Sequence, residues 1–174
     1  MSANDLLADT LEALNYAGAE GLVDAQTAYD PSGRGFVWRE LREKSGVDAA
    51  YFRGGVPLVA FLASDSIDSI RRTHSRLWNL SRVPLLIACT DSDVAAYSCF
   101  VPPERDIGAS RAALTVLGDT AAQQSLLEFS RFQVESGQVS KKYADRFRRA
   151  GRVDRRLLEN LRTLRLELGR TGDQ

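Results

Sequence analysis

The chain has 174 residues, enough to bury one sizeable core, and its 44% hydrophobic and 26% charged residues compose a folded globular protein rather than a disordered one. No apolar run approaches the roughly 18 residues that span a bilayer, and the opening Met1 to Leu14 carries acids where a secretory leader would carry lysines, so a cytoplasmic protein with no membrane partner is expected. The net charge is zero overall but not locally: residues 141–170 hold 11 Lys/Arg against 4 Asp/Glu, net +7, and the remaining residues hold 12 against 19, net −7.

In chain order, Leu6, Leu7, Leu11 and Leu14 recur at helical spacing after a polar capping residue, which predicts an amphipathic helix from Asn4 to Tyr16 that Gly18 and Gly21 terminate. The turn formers between Tyr29 and Gly35 predict a loop. Four short apolar segments then read as strands, at Ala49–Arg53, Leu58–Ala63, Leu85–Thr90 and Val94–Phe100. Gly54-Gly55-Val56-Pro57 and Asp91-Ser92-Asp93 are short enough to make each pair an antiparallel hairpin. Between the pairs, Ile67, Ile70, His74, Leu77 and Trp78 share one face of a helix spanning Ser66–Leu80. A helix between the second and third strands makes those two parallel neighbours, and the fold class that follows is α/β (α+β), a mixed sheet with a β-β-α-β-β core and flanking helices.

Residues 102–124 read as a loop with a short helix, and Ala121–Gly137 as a helix carrying Leu126, Leu127 and Phe132. Val153, Leu157, Leu158, Leu161, Leu164 and Leu168 form a long amphipathic stripe closed by Gly169, a C-terminal helix. The expected organisation is an α/β body at 1–125 and a basic helical extension or connector at 126–174.

The chemistry-bearing residues are few. One histidine and two cysteines supply no zinc set, and Cys89 and Cys99, within apolar runs, read as buried reduced thiols. His74, sharing its face with Ile67, Ile70 and Trp78, reads as a structural histidine rather than a general base. Neither G-x-x-x-x-G-K-[ST] nor G-x-G-x-x-G occurs between a strand and a helix. Pro102-Pro103 is flanked by Val101 and Glu104, not by the Asn or Asp and the aromatic residue of an adenine-methylating tetrapeptide. No catalytic residue, metal ligand or cofactor of this chain is expected. The pronounced feature is basic: Lys141, Lys142, Arg146, Arg148, Arg149, Arg152, Arg155 and Arg156 stand within 141–156, a density suited to the DNA phosphate backbone. The alternative for them is a solvated face, paired within the helix to Asp145, Asp154, Glu159 and Glu167.

The strand order, with Asp48 at the head of its first strand, resembles the PD-(D/E)xK nuclease core, also found at the N-terminus of type I restriction endonuclease subunits. In that fold two acids and a lysine converge on a metal that activates water. Asp48 matches the first acid, whereas Val59-Ala60-Phe61-Leu62-Ala63 supplies neither the second acid nor the lysine. The nuclease chemistry is therefore not carried over, and Asp48, His74 and Trp78 stand as relic positions. A more particular resemblance rests on His74-Ser75-Arg76-Leu77-Trp78-Asn79, Arg82-Val83-Pro84-Leu85-Leu86-Ile87, Phe129-Ser130-Arg131-Phe132, Glu135-Ser136-Gly137 and Arg152 to Leu161. Together these are similar to the N-terminal region of class I N6-adenine DNA methyltransferases of restriction-modification and phage-defence systems. The resemblance implies a non-catalytic N-terminal domain that assists DNA binding or subunit assembly. Its partners would be DNA and a methyltransferase domain or restriction-modification subunits, and S-adenosylmethionine would be the cofactor of the parent protein. Two other readings stand beside it. One is an interaction module or homodimer using the C-terminal leucine stripe, and the other is a metal-dependent nuclease in which Asp65 or Asp91 joins Asp48.

Overall fold

A computed structural model describes residues 2–27, 34–101, 111–116 and 126–147. The N-terminal helix α1 (Ala3–Ala13) begins at a reciprocal cap, in which the Ser2 hydroxyl accepts from the Asp5 amide and the Asp5 carboxylate accepts from the Ser2 amide. A short edge strand, β1 (Leu22–Asp24), follows, then α2 (Arg34–Ser45). The hairpin strands β2 (Ala49–Arg53) and β3 (Val56–Ala63), the helix α3 (Ile67–Leu80), and the hairpin strands β4 (Leu85–Cys89) and β5 (Asp93–Ser98) come next. A further strand, β6 (Arg111–Val116), and three short helices, α4 (Arg131–Glu135), α5 (Gln138–Lys142) and α6 (Ala144–Phe147), complete the described residues.

The six strands lie in sheet order β1 to β6. β3 and β4 are parallel, with Val59 opposite Leu85 and Ala63 opposite Cys89, and every other pairing is antiparallel. The parallel pair is what a helix inserted between two neighbouring strands requires. Pro57 has no amide to give to a ladder, and it sits at a register shift in which Tyr51 faces Val59 and Phe52 faces Pro57.

Alternation along the strands divides the core in two. Tyr51, Val59, Phe61, Leu85, Ile87, Cys89 and Val94 face α1 and the helices that follow residue 126, while Phe52, Ala60, Leu62, Leu86, Ala88 and Tyr97 face α2 and α3. The sheet is thus buried on both sides, which explains why its strands read as continuous apolar runs rather than as alternating ones. The two cysteines are buried and fall in opposite core clusters, so no disulfide joins them to each other.

The α/β class and the four strands read from the sequence are present, and the differences lie elsewhere. The run before Ala49 contains β1 and α2, which the pattern did not disclose. Within the expected loop at 102–124, residues 111–116 pair with β5 as β6. Of the single helix expected at 121–137, residues 121–125 lie outside the described residues, 126–127 are helical, and a turn at 128–130 interrupts it before the short α4, while Gly137 at φ 76° divides α4 from α5. Ile67, placed on the buried face of α3, is half exposed at the first position of that helix. Leu126, Phe129 and Val139 are buried in the first core cluster with Val134, Tyr143 and Phe147 packed against it, so residues 126–147 pack on the body. The leucine stripe Val153–Leu168 and Pro102-Pro103 lie outside the described residues. No helix among the described residues is long and apolar enough to cross a membrane.

Candidate functional site

The three relic positions do not converge. Asp48 precedes β2 at the end of the sheet where β3 and β4 finish, and its carboxylate accepts from the Ala63 amide at 2.7 Å. It serves there as a cap on β3. His74 belongs to α3 and lies at the other end, fully buried, with Nε2 donating to the Ser98 carbonyl at 2.8 Å beside Leu85. Burial lowers its pKa, the hydrogen bond to Ser98 opposing in smaller measure, so the ring is neutral and its tautomer is set by that bond. Trp78 lies one turn further along α3 and is half buried. Asp65 and Asp91 follow β3 and β4 and thus share the end of the sheet with Asp48. Even so, no three His, Cys, Asp or Glu side chains among the described residues form a group able to hold a metal ion. Cys89, near Asp48, has its thiol pushed up to about 11, chiefly by burial, and stays protonated at neutral pH.

Of the basic candidates, Lys141, Lys142 and Arg146 lie in the described helices, and Arg148, Arg149, Arg152, Arg155 and Arg156 lie outside the described residues. Lys142 is 2.6 Å from Glu128, and that carboxylate also accepts from the Tyr143 hydroxyl at 3.0 Å. The hydrogen bond from Lys142, ahead of all other causes, holds the Glu128 pKa below its ordinary value. Lys141 is exposed. The Arg146 carbonyl accepts from the Ser98 hydroxyl, and Tyr143 stacks on Phe129 with ring centroids 6.0 Å apart. Hence the head of the basic segment is fixed to the end of β5 before the run of arginines begins.

At the same end of the sheet, a second cluster of charge has no continuous signature in the sequence. The β2–β3 turn, Gly54-Gly55, forms one wall of an open cleft of about 510 Å³, together with Glu20, Gly21 and Tyr51 to Arg53. Arg34, the first residue of α2, and Arg131, the first of α4, complete it with Arg53. Each guanidinium is held from behind. Arg53 Nη1 donates to the Glu135 carbonyl at 3.0 Å, Arg131 Nε to the Asn15 carbonyl at 3.0 Å, and Arg34 Nη1 reaches the Glu20 carbonyl at 3.4 Å. The Glu135 carboxylate accepts from the Tyr51 hydroxyl and lies 3.8 Å from Arg131. Burial, followed by that hydrogen bond, raises the Tyr51 pKa, so the phenol remains a donor. The walls meet closely because Gly21 has no side chain: a Cβ there would stand 2.0 Å from the Phe52 carbonyl oxygen. The sequence signals for this cleft, Gly33-Arg34-Gly35 and Arg53-Gly54-Gly55, each read as a turn, and only the fold sets them beside Arg131.

No family model, curated protein or solved structure matches the chain.

Proposed function

We propose that this chain is a non-catalytic, DNA-contacting domain of a restriction-modification type adenine methyltransferase, acting through the basic segment that begins at Lys141. The observation that carries the reading is the charge concentration, net +7 over residues 141–170. It is supported by the anchorage of that segment's head, where Val139 is buried, Tyr143 and Phe147 pack on the core, and Ser98 holds the Arg146 carbonyl. A rigidly started run of arginines can neutralise successive phosphates and release their counterions with less loss of chain entropy than a free tail would incur. Methyl transfer, with its S-adenosylmethionine, would belong to a separate catalytic domain, and the role of this one would be to hold the duplex.

Fluorescence anisotropy with labelled duplex DNA tests the reading. If about six phosphates are neutralised, affinity falls on the order of a thousandfold between about 50 and 200 mM salt. Exchanging Arg148, Arg149 and Arg152 for Glu weakens binding and flattens that dependence. Absence of binding at low salt removes the DNA-contact role.

A further inference from the structure

The arginine cleft is a ligand site in its own right: we infer that it binds a phosphate group, through Arg34, Arg53 and Arg131 with the amides of the Gly54-Gly55 turn. The inference stands on the cleft's own residues and not on the segment that begins at Lys141.

Arg34, Arg53 and Arg131, from three elements far apart in sequence, line one open cleft, where Glu20 is the acid among the described lining residues and the Glu135 carboxylate lies beside Arg131. Guanidiniums present planar forks that match the oxygens of a phosphate, and they stay charged at every physiological pH. Because each is braced by a backbone carbonyl, little side-chain entropy remains to be lost when a ligand docks. The wall formed by the turn is suited to close approach: Gly54 and Gly55 are exposed, and nothing lies within 4 Å of a Cβ built on either. Beside the cleft, the ring of Phe132 is 58% exposed, and the Arg131 guanidinium carbon stands 4.6 Å from its centre. An exposed aromatic face next to a braced arginine is the surface on which a nucleotide's sugar or base can lie once its phosphate is held.

The phosphate has two sources, a nucleic-acid backbone and a free phosphate or nucleotide. Topology relates the cleft to the first of these. The β2–β3 turn and the end of β5, where Ser98 anchors Arg146, lie at one end of the sheet. From β2 to β5 there are three strand steps of about 4.8 Å each. The backbone of a nucleic-acid duplex reaching across that end would meet both.

The test is an NMR titration of the intact chain with inorganic phosphate, paired with anisotropy on labelled duplex DNA. The Gly54 and Gly55 amides and the Arg53 Nε resonance are expected to shift saturably with phosphate. Arg53→Gln, at an exposed position, should weaken phosphate binding by roughly 5–10-fold. Glu135→Gln keeps an acceptor for the Tyr51 hydroxyl but removes the carboxylate beside Arg131, and it should strengthen binding by about 2–5-fold. A purely structural role for these arginines would produce no such gain. If Arg53→Gln also weakens duplex binding, the source is nucleic acid; if duplex binding is unchanged, the source is a free phosphate or nucleotide. Absence of saturable shifts at the turn, or equal phosphate affinity in all three proteins, overturns the proposal whatever the basic segment does. Conversely, duplex binding lost only in the Arg148, Arg149 and Arg152 variant, with no phosphate effect at the cleft, leaves the proposed function standing without this site.

Discussion

Single residues in this fold are constrained by what their backbone touches more than by their polarity. Gly21 and Gly55 illustrate the point, both being glycines beside the cleft, with opposite surroundings. An alanine at 21 would force its Cβ against the Phe52 carbonyl, and Gly21→Ala is expected to lower stability by about 3 kcal/mol. Gly55 has open space and no left-handed φ, so Gly55→Ala should change the urea midpoint by no more than about 0.5 kcal/mol equivalent. Equal effects at the two positions would contradict the close approach. His74 supplies a pH signature. Its folded pKa lies below the ordinary 6.5 because burial disfavours the imidazolium. The unfolded chain takes up a proton near 6.5 that the folded chain takes up only at lower pH, so the unfolded state binds more protons in that window. The stability is therefore fully present above about pH 6.5 and declines as pH falls below it. As the chain's only histidine, His74 can be isolated: urea midpoints taken at about pH 7.5 and about pH 5.5 should differ in the native protein and differ less in His74→Gln.

At the scale of elements, the sheet is held between two helical layers by contacts that link distant parts of the chain. Tyr16, just after α1, packs edge-on against Tyr51 and Phe61 at 5.1 and 5.0 Å, and its hydroxyl donates to the Phe129 carbonyl at 2.9 Å. Removing that hydroxyl leaves a buried carbonyl without this donor. Tyr16→Phe is expected to cost about 1–2 kcal/mol in thermal or urea unfolding while leaving the sheet intact. A cost near zero would show that water replaces the hydroxyl. On the other face, Glu40 of α2 lies 2.7 Å from Arg82 and 2.8 Å from Lys44, tying α2 to the turn after α3. These pairs, whose Arg82 and Lys44 members are about half exposed, add little by comparison with the burial of Leu41, Ile70 and Leu77.

For the molecule as a whole, the consequence is that residues 126–147 complete the core. Leu126, Phe129 and Val139 are almost wholly buried, and the Arg131 amide bonds to the Leu14 carbonyl at 3.0 Å. A chain ending at residue 125 would uncover the apolar surface of α1 and of the strands beneath. Such a fragment is expected to unfold non-cooperatively or to aggregate, whereas one ending at residue 147 should melt as a single transition in calorimetry. Cooperative folding of the shorter fragment would show that the α4–α6 region is only an appendage.

How much of this was legible beforehand follows from the range of the forces involved. The alternation and turn chemistry near residues 49–63 and 85–98 are local, and they place the four central strands, the helix between them and the parallel register to within a few residues. The excess of arginine after Lys141 is likewise a property of the chain itself. β1 and β6 were not legible, because an edge strand is made by its neighbour's unpaired amides and carbonyls and needs little pattern of its own. α2 was hidden by a polar, glycine-led start, and it is held by packing on α3. The separation of Asp48 from His74 was equally unreadable, since it depends on which end of β3 meets the start of β2 and which end of β5 lies against α3. So was the cleft. Arg34, Arg53 and Arg131 share no motif, and only the close approach of Gly21 to Phe52 and the docking of α4 against Leu14 and Asn15 bring three like charges to one place.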